Sequence, residues 1–488
     1  MEKHDLVRVF IRGGVVSPGD MKQILETAAD FGNEVIHFGS RQDILFPVNI
    51  RSKTILDHTF QAIRTEYDFE GNNYQNMVSS YVAADMLPAT SWLHSDTYLY
   101  ILDDFEQYRT KLKINLADPR QTLVPLFTGN LNFVASRQEN YWYLYLNLPE
   151  YGGELVRWPA LVFTFDVVRT VKALEAVYLE QPDLPLADLF SQTNARVKVN
   201  NRPVTEDLEL PRAPFPAYEG MNKMAGDKYW LGLYWRNNGY TINFLKALCE
   251  LCVETNIGKI SITPWKSFII KGIAEKDKIK YEKLLGKHGI NMRHSSLELN
   301  WHLPVLDEEA LQLKRYLVRT FDQNDISTEG LTFTVKTVPM ELFTSIVVEK
   351  NPVSQYADTY ELLDTYQVLY CQDFNPNKRQ YITYARDVLK EDLAPLLMKL
   401  SLQYYEQLNN EPEVKAAKPI DRQQQQKPVY QCADCLTVYD AAFGDPAAGI
   451  AAGVAFADLP DDYTCSLCEA PKSSHRLVQV ETGAMVAR

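Results

Sequence analysis

The sequence predicts an α+β protein with a duplicated body and a small metal-binding domain at its C-terminal end. Three observations lead to this class. The body carries the same order of strands and helix twice, 224 positions apart. A polar, glutamine-rich stretch at 411–427 has little apolar surface to bury and predicts a linker. Beyond it, two Cys-x-x-Cys pairs supply four thiols, which is the number that a tetrahedral metal site needs.

The first copy of the repeat begins with a predicted strand, Val9–Arg12. Ser17 follows as the expected N-cap of a helix that reaches Phe31, because a serine hydroxyl can accept from a free amide of the first turn. Two further strands are predicted at Val35–Phe38 and Asp43–Pro47. This order is a β-α-β-β unit.

The second copy repeats the unit without a gap. It predicts a strand at Leu233–Arg236, a helix capped by Thr241 that reaches Thr255, and strands at Lys259–Ile262 and Ser267–Ile270. Three pairs of positions are identical: Arg12 and Arg236, Lys22 and Lys246, and Ile36 and Ile260. A unit that occurs twice predicts a duplicated protein with pseudo-twofold symmetry.

Charge and hydropathy restrict the partners and the compartment. The net charge of −13 argues against a nucleic-acid partner, because phosphate binding needs clustered lysine and arginine. No run of 18 apolar residues occurs and no apolar signal stretch follows Met1, so we expect no membrane association and a cytoplasmic location. No glycine-rich nucleotide fingerprint occurs either.

Three of the seven cysteines lie in the body. Cys249 and Cys252 are three positions apart within an apolar helical run, which favours a buried helix face over a disulfide. Cys371 is the third.

The other four cysteines, Cys432, Cys435, Cys465 and Cys468, form two pairs that are 30 positions apart. Thiolates are soft ligands, and four of them suit zinc or iron, so the spacing alone leaves both metals open. The residues around the pairs form the following pattern: Tyr439-Asp440, Gly444-Asp445-Pro446, Gly449-Ile450, Gly453, Phe456, Asp458-Leu459-Pro460-Asp461-Asp462-Tyr463 and Ala470-Pro471-Lys472. With this pattern, residues 428–480 resemble rubredoxin, and the resemblance implies one iron in an Fe(Cys)4 centre that carries one electron at a time.

The match to rubredoxin departs from the family at five positions. Leu436 and Glu469 stand where the family usually has glycine in a left-handed turn, a conformation that costs other residues about 1–2 kcal/mol. Thr437 and His475 stand where tyrosine and phenylalanine are common, and Tyr463 replaces the usual tryptophan. Because hydrogen bonds to the sulfurs set the reduction potential, these changes should alter it. In the same segment, seven acidic residues stand against two basic residues, Lys472 and Arg476. This excess suits docking to a basic redox partner, but ordinary solubility would explain it equally well, and charge alone does not separate the two.

The body resembles the sirohaem nitrite and sulfite reductases over about residues 5–410. Ser40-Arg41-Gln42 stands at the family's Thr-Arg-Gln, and Lys111-Leu-Lys113-Ile stands at its Lys-Phe-Lys-Ile. The resemblance implies that Arg41, Lys111 and Lys113 face a bound anion, the two lysines being on one side of a strand. Gln75 replaces a second arginine of the family. These four residues are the predicted anion- or tetrapyrrole-binding positions.

The cluster ligands of that family are missing. Its cysteines would fall at Ser296, His302, Val338 and Leu342, and Cys371 is out of frame. A cluster needs four thiolates or close substitutes. We therefore expect no 4Fe–4S cluster and no reduction of nitrite or sulfite by the body.

The repeat and the resemblances divide the chain into six segments. These are a first ferredoxin-like half-domain (1–70), a first sirohaem-reductase-like α/β module (71–215), a second half-domain (225–290), a second α/β module without cluster cysteines (291–410), the linker (411–427) and the rubredoxin domain (428–480).

The favoured hypothesis is a one-electron carrier whose body is a pseudo-reductase used for docking, in nitrate, nitrite or sulfur assimilation. A flavoprotein reductase would be its donor, and a redox enzyme, for example nitrate or nitrite reductase, its acceptor. Two alternatives stay open. In one, the body carries sirohaem. In the other, it reduces an oxyanion with the rubredoxin iron as internal donor.

Overall fold

The protein is described here by a computed structural model. It describes residues 5–48, 53–63, 65–69, 74–106, 108–211, 214–224, 226–352, 364–410, 426–435, 437–441 and 444–481. The chain forms two compact units, Met1–Glu411 and Pro412–Arg488. Of the predicted linker, only Gln426 and Lys427 are described, and both belong to a strand. The finer division into six segments stays a prediction. None of the helices in the described residues has the length and apolar character to cross a membrane.

The first copy of the repeat consists of β1 (Asp5–Val9), β2 (Val15–Val16), α1 (Pro18–Asp30), β3 (Val35–Phe38), β4 (Ile44–Val48), α2 (Lys53–Ala62) and β5 (Tyr67–Phe69). Helix α1 begins where the sequence predicted, because Ser17 Oγ accepts from the amide of Asp20 at 3.0 Å. The predicted strand at Val9–Arg12 is wrong. Strand β1 ends at Val9, and a 3-10 helix begins at Arg12, because the following Gly13 has a φ of 61° that no strand allows.

The first α/β module follows. It contains β6 (Val78–Ser79), α3 (Ser95–Asp104), β7 (Ile114–Ala117), β8 (Leu131–Ala135), β9 (Tyr141–Leu146), β10 (Val156–Arg157), β11 (Ala160–Phe163), α4 (Val167–Glu180), α5 (Leu186–Arg196) and β12 (Asn201–Pro203). The sheet order is β12-β11-β9-β8-β7-β6, with β10 paired to β9. Strands β6, β7 and β8 are parallel and the other pairs are antiparallel.

The second copy contains β13 (Gly220–Lys223), β14 (Lys228–Leu233), β15 (Tyr240–Thr241), α6 (Ile242–Glu254), β16 (Ile260–Ile262), β17 (Phe268–Ala274) and α7 (Lys278–Lys287). The strand predicted at Leu233–Arg236 lies earlier, in β14. The second α/β module contains α8 (Ser296–Leu299), β18 (Trp301–His302), α9 (Glu308–Gln323), β19 (Phe333–Lys336), β20 (Ile346–Lys350), β21 (Thr365–Cys371), β22 (Tyr381–Leu389) and α10 (Lys390–Asn410), with sheet order β18-β19-β20-β21-β22.

The two copies exchange edge strands. Their sheets have the orders β15-β3-β4-β1-β5 and β13-β14-β17-β16-β2, so each sheet ends in a strand from the other copy. Tyr240 pairs with Ile36 in one sheet, and Val16 pairs with Ile260 in the other. Adding or subtracting the 224-residue repeat turns the first pair into the second. The duplication is therefore built into the hydrogen bonding of the body, and the α+β class is confirmed.

The helices of the two copies obey the same symmetry. Lys22 on α1 pairs with Glu250 on α6 at 2.9 Å, and Lys246 on α6 pairs with Glu26 on α1 at 3.4 Å. The same repeat distance interconverts the two ion pairs. One hydrophobic core draws side chains from both copies.

Cys249 and Cys252 lie in that core, on the buried face of α6, so the prediction of a packed helix face is confirmed. Burial raises the pKa of Cys249 to about 12 and that of Cys252 to about 11, which keeps both thiols protonated.

The C-terminal unit has a small sheet, β24-β23-β25, formed by β23 (Gln426–Cys432), β24 (Val438–Tyr439) and β25 (His475–Glu481). Its core is aromatic: Phe456 stacks on Tyr430 with ring centres 4.0 Å apart and contacts Tyr439 edge-on. Tyr463 completes this core and donates its hydroxyl to Asp445 at 2.8 Å. The phenol at the position of the usual tryptophan thus has an acceptor for its hydroxyl group.

Candidate metal centre and body pocket

The two cysteine pairs lie in two loops that equivalent backbone hydrogen bonds close. In the first loop, the amide of Cys432 donates to the carbonyl of Thr437 at 2.8 Å. In the second, the amide of Cys465 donates to the carbonyl of Ala470, also at 2.8 Å. Each loop therefore folds its two thiols toward the same point, a geometry set by residues within five positions of each other.

The structure brings the four predicted thiols together. All four Sγ atoms lie within 4.8 Å of one another. Cys432 and Cys468 are 3.6 Å apart, and Cys435 and Cys465 are 3.5 Å apart. A tetrahedral site with metal–sulfur bonds of about 2.3 Å needs sulfurs about 3.8 Å apart. The donor set therefore fits a single iron ion, and zinc has the same preference.

The site is buried on one side. Cys432 and Cys465 are buried, Cys435 is half-buried and Cys468 is exposed. Among the residues that the structure describes, these four are the group of metal-binding side chains that converge in this way. An exposed ligand gives an electron a short path to the surface.

Hydrogen bonds favour the ionised form of Cys435. Burial opposes its ionisation, but the hydroxyl and amide of Thr437 outweigh burial and lower the pKa of the thiol to about 6. At Cys468 the amide of Ala470 favours ionisation, whereas the neighbouring cysteines raise the pKa to about 12.

In the second loop, Glu469 replaces the usual glycine, and the backbone at this position is left-handed, as the sequence predicted. Glu469 has a φ of 62°, in the left-handed region that disfavours a side chain, and its amide donates to Cys465 O at 2.8 Å. Leu436, the matching position of the first loop, lies outside the described residues.

Arg41 lies in the interior of the body. Its guanidinium donates to the carbonyls of Asn76 at 2.6 and 3.2 Å and of Ile114 at 2.9 Å, and to the side chain of Asn115 at 2.9 Å. A longer contact of 3.5 Å reaches Thr128 O. Burial lowers the pKa of Arg41 to about 10. The structure thus gives this side chain protein acceptors, and its predicted anion-facing role stays a prediction.

The expectation that Lys111 and Lys113 lie on one side of a strand is wrong, because strand β7 starts only at Ile114. Lys111 is exposed, and its backbone amide donates a 2.8 Å hydrogen bond to the carboxylate of the buried Glu175. The ammonium of Lys113 lies 3.8 Å from the carboxylate of Glu341. Burial lowers the pKa of Lys113, and the charge of Glu341 opposes that effect.

Glu341 is the carboxylate that sequence reasoning missed. It also lies 3.9 Å from the guanidinium of Arg379. Gln75, the fourth predicted position, accepts from Arg8 at 3.4 Å, and Arg8 lies 3.8 Å from the buried Asp43. The cations of this region therefore have carboxylate neighbours from distant parts of the chain, which no local spacing could reveal.

The positions of the missing cluster cysteines do not form a donor set. Ser296 is exposed at the start of α8, and Val338 is also exposed. His302 is buried with its ring centre 4.3 Å from that of Phe343, and burial holds its pKa well below the ordinary value. Leu342 is aliphatic. These side chains do not fit a 4Fe–4S cluster.

Comparison with known proteins agrees with this geometry. Residues 429–475 match the rubredoxin family, and residues 2–51 match the nitrite/sulfite reductase ferredoxin-like half domain. The chain is thus of the class that joins a nitrite/sulfite reductase-like body to an electron-transfer domain. Its C-terminal domain belongs to the rubredoxin family, which supports a single iron site at the four cysteines.

Three relatives show how much of the chain the likeness to rubredoxins covers. The high molecular weight rubredoxin of Moorella thermoacetica is 55% identical over 47 residues, which are 10% of this chain and only 20% of that protein. The probable rubredoxin HupI of Bradyrhizobium diazoefficiens is 47% identical over 49 residues, 10% of this chain and 71% of its own length. A rubredoxin of Acinetobacter baylyi is 43% identical over 51 residues, 10% of this chain and 94% of its own length.

A solved structure has a fold similar to that of the body. The NirA protein of Mycobacterium tuberculosis has a TM-score of 0.64 with this chain at 13% identity, covering 84% of this chain and 82% of that one. At this identity the likeness shows the fold alone. The predicted resemblance of the body to nitrite and sulfite reductases is thereby confirmed at the level of fold.

Proposed function

We propose that the chain is a one-electron carrier whose rubredoxin domain holds one iron at Cys432, Cys435, Cys465 and Cys468. The observation that carries this proposal is the convergence of four sulfurs within 4.8 Å from two loops that equivalent hydrogen bonds close. When bound, iron in such a thiolate set exchanges one electron between its ferric and ferrous states. The protein's own part is to hold the thiolates and to leave Cys468 at the surface.

The body serves, in this proposal, as a docking platform that kept the reductase fold without its catalytic centre. Two observations support this. The cluster positions offer no thiol, and two of the predicted anion-facing cations contact protein groups, Arg41 the carbonyl of Asn76 and Lys113 the carboxylate of Glu341. Sirohaem and 4Fe–4S chemistry therefore have no place in the proposed electron path.

The chemistry of a one-electron iron site suggests the classes of its electron donor and acceptor. The sequence shows no glycine-rich nucleotide fingerprint, so a flavoprotein reductase would load the iron. The acceptor would be a redox enzyme, for example nitrate or nitrite reductase, in nitrate, nitrite or sulfur assimilation in the cytoplasm. Exposed acids beside the outer cysteines, Asp434 and Glu469, favour a basic docking surface on either partner.

Metal and acid-labile sulfide assays on full-length protein purified without air test the proposal. We expect one iron per chain, no labile sulfide, and the thiolate-to-iron absorption bands of a rubredoxin. About four labile sulfides per chain, the content of one 4Fe–4S cluster, would contradict it. One zinc per chain with no iron, in protein made in iron-rich medium, would contradict the electron-transfer role.

A second candidate function is that of a sirohaem carrier or an oxyanion reductase. The partly exposed Lys113 beside Arg379 favours it, because both cations could pair with a carboxylate of a tetrapyrrole if Glu341 moved away. Titration of the protein with sirohaem distinguishes the two functions. A Soret band that saturates at one equivalent, with sustained nitrite or sulfite turnover from a chemical donor, would favour the second function.

A further inference from the structure

The two cysteine loops differ in one side chain that points at sulfur. Thr437 and Ala470 hold equivalent places, since each accepts the amide of the first cysteine of its loop at 2.8 Å. The hydroxyl of Thr437 lies 3.1 Å from Cys435 Sγ. Ala470 has only a methyl group and offers Cys468 no such contact.

The protonation state of a metal ligand decides the direction of this hydrogen bond. A metal-bound cysteine is a thiolate without a proton, so the threonine hydroxyl must be the donor. The amide of Thr437 also hydrogen-bonds to Cys435, as the amide of Ala470 does to Cys468. Cys435 therefore receives two donors from one residue, and Cys468 receives one from the equivalent residue.

We propose that Thr437 is a positioning residue that raises the reduction potential of the iron by donating its hydroxyl to the Cys435 thiolate. The proposal rests on the iron site proposed above. The thiolates carry more negative charge when the iron is ferrous, so a donor to sulfur stabilises the reduced form more than the oxidised form. The asymmetry also makes Cys435 and Cys468 electronically different ligands within one site.

Two substitutions at Thr437 separate the effect of the hydroxyl group from the effect of the side-chain shape. Thr437→Val keeps the branched side chain and removes the donor, whereas Thr437→Ser keeps the donor. In the full-length, iron-loaded protein, Thr437→Val should shift the Fe3+/Fe2+ equilibrium about tenfold toward Fe3+, a potential lower by about 59 mV for one electron. Thr437→Ser should have the wild-type potential. The thiolate-to-iron charge-transfer bands should move in Thr437→Val and stay in place in Thr437→Ser.

The second loop supplies the reverse experiment. Ala470→Ser adds a hydroxyl at the equivalent place beside Cys468, and the potential should rise. Wild-type and Thr437→Val proteins with one iron each and equal potentials would overturn the role of Thr437, as would a Thr437→Ser protein that behaves like Thr437→Val. Wild-type protein without iron would instead overturn the iron site on which this role depends, so the two failures are distinguishable.

Discussion

The rubredoxin domain and the reductase-like body place their polar side chains in opposite ways. In the domain, four thiols from two short loops converge on one another, so that each sulfur faces the point where a metal would lie. In the body, Arg41 is enclosed by protein carbonyls, and the ammonium of Lys113 has the carboxylate of Glu341 beside it. The first arrangement is complete only when a metal joins it, and the second is already balanced by the protein.

This difference shows which parts of a fold persist without a ligand. The body is held by a core shared between its two copies and by exchanged edge strands, neither of which needs a cofactor. Hydrophobic burial and main-chain hydrogen bonds can thus hold the body in its fold whatever the polar side chains of the predicted site contact. The small C-terminal unit has a modest aromatic core, and units of that size usually need a metal or disulfides for stability.

The largest expected effect comes from removal of a buried thiol. Cys432→Ala leaves three sulfurs around the site, and we expect the purified protein to lose most of its iron and its charge-transfer absorption. The C-terminal unit should unfold at a lower temperature, while the thermal transition of the body should stay at its wild-type position. Metal analysis and calorimetry measure the two effects.

Cys371→Ala is the matched control, since Cys371 is a buried thiol of the body and its Sγ donates to Asn375 O at 2.9 Å. It should leave the iron content unchanged. If Cys371→Ala lost iron and Cys432→Ala kept it, the assignment of the metal to the C-terminal loops would be wrong.

The next effect concerns Arg41 and tests whether it is a structural or a ligand-binding residue. Arg41→Met removes five donors from a buried site and leaves the carbonyls of Asn76 and Ile114 without them. Hydrogen bonds from a charged group contribute about 1.5–3 kcal/mol each to stability, so we expect a loss of about 3 kcal/mol or more in the free energy of unfolding of the body. Urea unfolding measures it.

Arg319→Met, at an exposed position on α9, is the control and should change stability by less than about 0.5 kcal/mol. The iron content of the Arg41 variant should equal that of the wild type. A variant of unchanged stability that had lost affinity for inorganic sulfate would show that Arg41 serves an anion, as in the reductase-like interpretation.

The metal centre was readable from the sequence because its chemistry is local. Each loop is defined within six positions, so spacing and residue type together fix the geometry. Glu469 at positive φ was predictable for the same reason. The contacts of Arg41 were not, because its acceptors come from segments 35 to 87 positions away. Glu341, which contacts Lys113 from over two hundred positions away, had no signal in the sequence.

The repeat itself was visible, but the exchange of strands was not. Periodicity identifies a helix or a strand, whereas the choice of neighbour in a sheet depends on the packing of the whole core. The error at Lys111 has the same origin. Lys111 and Lys113 are two positions apart, which suits a strand. The Lys111 amide instead donates to Glu175, in a bend that precedes β7.

The last prediction compares the two copies of the repeat at one position. Gln42 and Lys266 are related by the 224-residue repeat, and both have positive φ, at 60° and 57°. The Gln42 amide is satisfied by the main chain of Ser79 at 2.7 and 3.1 Å. Lys266 is buried, its ammonium donates to Leu303 O, and burial together with Lys314 lowers its pKa to about 7.

The low pKa of Lys266 makes the stability of the body depend on pH. Between pH 7 and the ordinary lysine pKa of 10.5, the unfolded chain binds a proton at Lys266 that the folded chain does not. Stability should therefore rise with pH in this window, with a contribution of at most about 1.4 kcal/mol per pH unit.

Lys266→Gln, which gives the second copy the residue of the first, should remove that contribution. Lys271, whose pKa burial lowers to about 8, leaves a smaller slope of the same sign in both proteins. Urea unfolding of the wild type, Lys266→Gln and the exposed control Lys111→Gln from pH 6.5 to 9.5 measures the slopes. Parallel curves for the wild type and Lys266→Gln would show that Lys266 stays protonated in the folded body, paired with an acceptor strong enough to offset its burial.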